Sequence, residues 1–566
     1  MVNEFAAGIN YDEQGRVDAL FYHMDYAAAG NKTAQLTHFY LHDYNSDGAI
    51  SYYMVQTDVT NGEINYTYDA LNRLTVKKYD FYLSNDTSKR FTNNITYGYD
   101  NIGDSTSGRI SATISEVNGN TSAICRYLYD QNGNITHITN NEWEVQQKYT
   151  YDDLGQLIRE DNRALGYSYE YTYDNAGNIT SKKRYAFTLG ELGTFYTTYS
   201  YGYGDQTWGD LLTSYSYMPI IYDDIGNPLT YYNGSSYTFT WKDGRRLATA
   251  TKGSNTLAFE YDDNGIRTSK TVNGVKHTYY LSGSQIIAEE WSGHLCVYLY
   301  DAEGSPIGMQ YRSIGMTENT FETYWFEKNL QGDIVAIYNM SGAKIRSYAY
   351  DAWGNVTETV YSSSGMNYYA TYNPFKYRGY YMDSETGLYY LQSRYYDPAT
   401  GRFINADGQL NDGLLGHNMF AYCGNNPVMN IDPDGHAWWH WALAAAVVVA
   451  CAAATVVTCG GFAAAAGAVC MVASGTAAGT LAATVAAGAF IASATALGTV
   501  ALCAAANSSS VDDFMEQGSF DTVSYVAFSA ITGEIAGYNM YQAVNPYNFS
   551  YPNSQADSIL PSTNAK

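Results

Sequence analysis

A ten-residue phrase recurs along this chain. It reads YTYDNAGNIT at 171–180, YTYDDLGQLI at 149–158 and YLYDQNGNIT at 127–136. The consensus is Tyr-x-Tyr-Asp-x-x-Gly-Asn-Ile/Leu-Thr. Its Tyr-Asp pair returns at Tyr11-Asp12, Tyr68-Asp69, Tyr99-Asp100, Tyr129-Asp130, Tyr151-Asp152, Tyr173-Asp174, Tyr222-Asp223, Tyr261-Asp262, Tyr300-Asp301 and Tyr350-Asp351. Degenerate copies stand at 240–248 and 329–337, and the cleanest run (Asp130, Asp152, Asp174) has a spacing of 22. Self-similarity of this kind marks a repeat architecture and overrides the several-domain expectation that 566 residues would raise.

The chemistry of one unit predicts its shape. Tyr171 and Tyr173 share one face of a strand, because side chains alternate. Asp174 opens a turn, and its carboxylate can accept from backbone N–H groups two or three residues on. Gly177 falls where a tight hairpin needs a positive φ. Asn178 tolerates the adjoining geometry, and Ile179 and Thr180 begin the return strand. One such hairpin is marginal alone, with a face to bury and open edges. Many in series can pair edge to edge, so the expected class is mainly β, with most of 1–375 in one continuous curved antiparallel sheet. The 59 Tyr and 51 Gly suit strands broken by tight turns. An Asp repeated at every turn reads as a turn residue before it reads as a catalyst.

Several function classes fall away. The formal net charge is −25 and no stretch is strongly basic, so a polyanion would be repelled and no nucleic-acid partner is expected. His23, His38, His42, His137, His277 and His294 form no ligand pattern, and no GxSxG, P-loop or HExxH motif occurs, so neither metal nor cofactor is expected. The seven Cys make no CxxC pair; Cys451, Cys459, Cys470 and Cys503 lie in one apolar tract, where Cys acts as a small hydrophobe. The opening MVNEFAAGINYDEQGRVDAL shows no signal peptide.

After the repeats comes YRGYYMDSETGLYYLQSRYYDPATGRFINADG (377–408), then NMFAYCGNNPVMNIDPDG (418–435). The elements Gly387-Leu388-Tyr389-Tyr390, Arg394-Tyr395-Tyr396-Asp397-Pro398, Gly401-Arg402-Phe403, Asn425-Asn426-Pro427 and Asp432-Pro433-Asp434-Gly435 resemble the RHS repeat-associated core. With the repeats they make the chain similar to the RHS/YD-repeat proteins: bacterial polymorphic toxins, toxin-complex C subunits and animal teneurins. The likeness covers about residues 8–436. It implies hairpins spiralling into a hollow shell, with the core rolled inward as a plug. It also implies a task, enclosing or delivering a toxin-like C-terminal segment that starts just past the DPxG element, in a secreted or cell-surface protein with an immunity protein as partner. The expected divisions are 1–375 repeat shell, 376–436 core, 437–510 apolar Ala/Gly-rich helical segment and 511–566 variable tail. A repeat so close to MVNEF reads as a shell truncated at its N-terminus.

In several members of that family the core cuts the chain behind the plug with paired aspartates. Two carboxylates sharing a proton can activate water while the protonated partner polarises the scissile carbonyl. By motif position the candidates are Asp407, Asp432 and Asp434, with Arg402 as electrostatic partner, and the cut is expected around Gly435, His436 and Ala437. No other enzymatic activity is expected. Two departures stand out: Asp407 is followed by Gly408 where the family has Pro, and His436 stands where Leu is frequent. The same aspartates also read as turn residues of the plug.

Residues 435–511 contain no Asp, Glu, Lys or Arg. The stretch 477–506 is long enough to cross a bilayer as a helix, and 441–457 with its flanks is about long enough. Gly475 and Gly479 have GxxxG spacing, and Trp438, Trp439 and Trp441 resemble an interfacial belt. The tract reads either as a membrane-inserting segment, itself the pore-forming cargo, or as a helical pair held inside the shell. Residues 507–566 carry no nuclease, deaminase or transferase signature. Two rival readings stand beside the shell: a surface protein whose Tyr-rich exterior binds carbohydrate or another cell, and a remnant without function. Cross-strand Tyr pairs also stabilise sheets with no ligand at all.

Overall fold

The computed structural model describes residues 2–28, 32–102, 105–313, 316, 320–361, 372–408, 418–436 and 439–440. The stretches 441–457 and 477–506, the GxxxG pair, Trp438, Trp441, Ala437 and the tail 511–566 lie outside the described residues. Among the described residues no helix is long and apolar enough to cross a membrane. The chain divides into two units, 1–458 and 459–566, and the described residues belong to the first.

The described part of the first unit is built of antiparallel strands, each paired with the next in the chain within its sheet, and helix among the described residues is confined to short 3-10 turns such as Tyr377–Gly379 and Cys423–Asn425. The single continuous sheet expected from the repeats is instead two, of 17 strands from Val2–Tyr11 to Met218–Pro219 and of 14 strands from Ile221–Tyr222 to Val356–Val360. The break has a local cause. Strands Ser214–Tyr215 and Met218–Pro219 are two residues long, the turn between them holds Ser216 and Tyr217 at positive φ, and Pro219 has no N–H to carry the ladder onward. The core contributes a third, four-stranded sheet: Tyr381–Asp383, Leu388–Leu391, Arg394–Asp397 and Arg402–Phe403.

The repeat turns at Asp130, Asp152, Asp174, Asp223, Asp262, Asp301 and Asp351 close in the same way, whereas Asp100 lies inside the strand Asp86–Ile102. At 174–178 the Asp174 N–H donates to the Asn178 carbonyl (3.0 Å) and the Gly177 N–H to the Asp174 carbonyl (3.1 Å). Asp174 Oδ1 accepts from the N–H groups two and four residues on, Ala176 and Asn178, both at 2.9 Å. Asn178 Nδ2 donates to Asp174 Oδ2 at 3.0 Å. Gly177 has φ +75°, a region that costs a side chain energy and glycine almost none. A one-residue register shift between Thr172 and Tyr173 completes the bulged hairpin.

The second tyrosine of the repeat has a further partner. Tyr173 donates its hydroxyl to the Leu157 carbonyl (2.6 Å), where the previous repeat's return strand begins. Tyr151 does the same to Ile135 (2.8 Å), Tyr129 to Ile110 (2.6 Å), Tyr99 to Leu74 (2.8 Å) and Tyr68 to Ile50 (2.8 Å). In the second sheet Tyr261 reaches Leu247 (2.9 Å) and Tyr350 reaches Ile334 (2.7 Å), while the degenerate repeat uses Trp241 Nε1 on Pro228 (2.7 Å). The first tyrosine points into the packed interior: Tyr171 is buried against Trp353, with ring centres 5.8 Å apart. The two sheets also touch through Phe81 stacked on Trp325 at 3.9 Å and through Lys77, whose Nζ lies 3.0 Å from Asp301 and 2.7 Å from Glu303.

Three substitutions test this account. Gly177→Val should cost about 1–3 kcal/mol of unfolding free energy, because a β-branched residue resists positive φ, while exposed Asn175→Ala should cost almost nothing. Tyr173→Phe should cost about 0.5–1.5 kcal/mol by removing one hydrogen bond without creating a cavity. Urea unfolding measures all three, and equal midpoints for the two turn variants would misplace the turn.

Candidate functional site

The core reaches the repeats through their turns. The amide at the eighth position of the repeat has two ends, and the two do different work. In Asn134, Gln156 and Asn178 the amide nitrogen donates to the turn's own Asp, at 3.0, 2.8 and 3.0 Å. The oxygens then accept from the core: Asn134 from Asn426 Nδ2 (3.0 Å), Gln156 from Asn425 Nδ2 (2.9 Å), and Asn178 from Asn418 Nδ2 (2.8 Å) and Arg402 Nη1 (3.1 Å). An amide offers a donor and an acceptor on one short planar group; an ionised Asp there would present acceptors alone. Repeats separated by 22 residues in the chain thus form a row that the Asn425-Asn426 pair spans.

Behind this contact two carboxylates meet one guanidinium. Arg394 Nη2 lies 2.9 Å from Asp407 Oδ2 and 3.4 Å from Asp432 Oδ2, and all three side chains are buried. The Arg394 guanidinium is stacked 3.6 Å over the Phe403 ring, and its Nη1 donates to the Met419 carbonyl at 3.1 Å. Its Nε donates to the carbonyl of Gly435, the carbonyl of the peptide bond to His436. Asp432 Oδ1 accepts the Gly435 N–H at 2.8 Å, and Asp434 Oδ1 accepts the His436 N–H at 3.1 Å. Ser393 fixes the segment from the other side, donating its N–H (3.1 Å) and Oγ (2.8 Å) to the Asp434 carbonyl. Gly435 has φ +79°, and a Cβ there would fall 2.6 Å from Ser393 Oγ and 2.7 Å from the Leu391 carbonyl, so no other residue fits.

The electrostatics follow from crowding. Burial pushes the Asp432 carboxyl up to about 6; Arg394 opposes the rise, and Asp434 and Asp407 add to it. Although Arg394 forms an ion pair with Asp432, burial outweighs it, since one guanidinium serves several carboxylates. The site therefore keeps a proton up to about pH 6, between groups that face a peptide carbonyl.

Of the residues expected here, Asp407, Asp432 and Gly435 come together, and Asp434 follows one step along at the His436 N–H. Ala437 lies outside the described residues. Arg402 sits elsewhere: its Nη1 binds Asn178, its Nη2 binds the Asp210 carbonyl (2.9 Å), and its guanidinium lies 5.3 Å from the Tyr203 ring centre. The cation at the aspartates is Arg394 instead. Its place in the Arg-Tyr-Tyr-Asp-Pro element was visible in the sequence, but its fold-back onto 407 and 432 was not.

The teneurin YD-shell family matches residues 89–428. The tRNA3(Ser)-specific nuclease WapA of Bacillus spizizenii is 37% identical over 240 residues, which cover 41% of this chain and 10% of the nuclease. The double-stranded DNA deaminase toxin A of Burkholderia cenocepacia is 29% identical over 257 residues, covering 40% of this chain and 18% of the toxin. The chain thus spans less than a fifth of the length of either relative. In the crystal structure of TcdB2-TccC3-Cdc42, a chain superposes with a TM-score of 0.53 at 18% identity, over 79% of this chain and 24% of that one, which shows a shared fold.

The raised carboxyl predicts a pH dependence. Between about pH 4 and about pH 6 the folded Asp432 keeps a proton that the unfolded chain gives up, so the stability this group contributes falls as pH rises through that window. The size is on the order of 3 kcal/mol. Asp432→Asn removes the loss, so its unfolding free energy relative to wild type should improve from about pH 4 to about pH 6 and level off above. A difference that stays constant or moves the other way contradicts the arrangement.

Proposed function

This chain belongs to the teneurin YD-shell family, and from that premise we propose that its hairpin wall and core form a scaffold that encloses and delivers the polypeptide following residue 435. The observation that carries the reading is the grip on Gly435, whose N–H and carbonyl are both held by buried core side chains at the end of the Asp-Pro-Asp-Gly element. Relatives named as a nuclease and a deaminase toxin, each far longer than this chain, are similar to about two fifths of it, which supports a scaffold role. On this reading the protein acts outside the cell or at its surface, and the uncharged tract 435–511 belongs to the cargo.

The core also cuts the cargo free. Arg394 Nε polarises the Gly435 carbonyl, and the ionised carboxylate of the Asp407–Asp432 pair takes a proton from water as its oxygen attacks that carbon. The protonated carboxyl returns a proton to the His436 nitrogen as the peptide bond breaks. The products are a carboxylate at Gly435 and an amine at His436, so one water is consumed and the protons balance. Asp434, already bonded to the His436 N–H, holds the leaving nitrogen in place.

Denaturing electrophoresis with mass spectrometry tests the cut. The wild type should yield fragments 1–435 and 436–566, and Asp432→Asn or Asp407→Asn should leave one intact chain with an unchanged circular dichroism spectrum. Denaturing conditions are required because the fragments are expected to stay associated. An intact wild-type band from folded protein would reduce Asp407 and Asp432 to structural partners of Arg394.

A further inference from the structure

Lys182 stands on strand Ile179–Ala186 of the first sheet, and Asp351 opens the turn at 351–355 in the second. Their side chains meet between the sheets, Nζ 3.2 Å from Oδ2, with 7% and 1% of each exposed. Glu160, on strand Leu157–Asn162, is fully buried on the same face as Lys182: Glu160 lies opposite Tyr169, and Lys182 opposite Tyr171. Glu160 accepts the Ala352 N–H with both oxygens (3.0 and 2.9 Å), and Asn162 donates Nδ2 to the Tyr350 carbonyl at 2.9 Å. One strand thus grips the residues on either side of Asp351. Aromatic rings close the place: Lys182 Nζ lies 4.4 Å from the Tyr169 ring centre and 5.8 Å from that of Tyr171, which packs on Trp353.

Burial pushes the Glu160 carboxyl up to about 8, and Asp351 adds to the rise, so Glu160 keeps its proton at neutral pH. Burial lowers the Lys182 ammonium, but Asp351 across from it more than restores it, so the pair starts ionised. A buried ion pair has lost its hydration on both sides, and turning it into one neutral amide removes that cost. Contact between the partners and exclusion of water favour a condensation that free solution would reverse.

We propose that Lys182 and Asp351 condense into an isopeptide bond, a side-chain amide that locks the first sheet to the second. Lys182 passes one proton to Asp351, and the neutral amine attacks Cγ, forming the C–N bond. Protonated Glu160 gives its proton to the leaving oxygen and regains one from the nitrogen as the C–O bond breaks. The three ammonium protons end as the amide N–H and the two of one released water, so atoms and charge balance. The Asp351 oxygen that stays, Oδ1, goes on accepting the N–H groups of Trp353 (3.1 Å) and Asn355 (2.9 Å), so the turn survives the reaction. Asn355 also donates to the Pro398 carbonyl of the core at 2.7 Å, so the bond pins the wall where the core meets it. A second buried lysine at a repeat turn, Lys77 beside Asp301, is set differently. Asp301 Oδ2 has another lysine, Lys328, at 3.1 Å, and against burial the two ammonium groups hold that carboxyl well below the usual range, where it resists attack.

Tryptic peptide mapping of the denatured full chain by tandem mass spectrometry tests the bond. Lys182 should resist trypsin, and one branched peptide should join 164–183 to 347–376, lighter by one water than the two together. Lys77 should stay free. Both peptides precede Gly435, so the result does not depend on the cut. Lys182→Arg keeps the charge without an amine to acylate, and Glu160→Gln keeps the shape without a proton to transfer. With circular dichroism unchanged, the branched peptide should be absent in the first and fall about tenfold or more in yield in the second; the wild-type map stands by itself if either variant fails to fold. Absence of the branched peptide from folded wild-type protein, its full yield in Glu160→Gln, or a link from Lys182 to any residue but Asp351 would each overturn the assignment.

Discussion

The second tyrosine of each repeat donates its hydroxyl to a backbone carbonyl of the repeat before it, as Tyr173 does to Leu157 and Tyr151 to Ile135. A hairpin alone is marginal, and strand ladders alone leave the turn ends free to splay. The hydroxyl ties each turn end to its neighbour at the position where the bulge shifts the register. Each such bond contributes about 0.5–1.5 kcal/mol, modest singly but repeated along both sheets. Tyrosine suits this place because its ring covers apolar surface while its hydroxyl reaches a polar partner at arm's length.

Order at the turns is what the core uses. Asn134, Gln156 and Asn178 spend their amide nitrogens inside their own turns and present their oxygens to Asn426, Asn425 and Asn418. If neighbouring turns were free to move apart, a rigid Asn425-Asn426 pair could not satisfy both. Docking in turn fixes the chain on which Arg394, Asp407 and Asp432 lie, so the geometry at Gly435 is inherited from the repeats. Asp130, Asp152 and Asp174 are turn residues, and so are Asp301 and Asp351, which are also buried beside lysines. Asp407 and Asp432 are buried beside a cation and a peptide carbonyl. The same residue type does two jobs, and the nearby Gly435 carbonyl, not burial, separates them.

The parts legible in the sequence are those set by near neighbours. Alternation in Tyr171-Thr172-Tyr173, the turn at Asp174 and the positive φ of Gly177 follow from local stereochemistry, and the structure has them. Assignment of the chain to a repeat shell with a core rested on quoted motifs and is matched by the family over 89–428. What was not legible depends on distance. Asn425 donates to the Gly177 carbonyl across 248 residues, and no spacing rule announces such a pair. Motif position points to Arg402 as the cation, whereas the fold sets Arg402 on Asn178 and Arg394 on the aspartates. The break between the sheets was missed because Ser216 and Tyr217 carry no glycine signal for the positive φ they adopt.

Native-state hydrogen exchange across a series of low urea concentrations tests the central claim, that the tyrosine-linked turns and the docked core are one cooperative unit. The account predicts that amides of strands Val145–Tyr151, Leu157–Asn162 and Tyr167–Tyr173 and those of the core segment 418–436 converge on one opening free energy with one urea dependence. Hairpins that open one after another while 418–436 keeps its protection would contradict it.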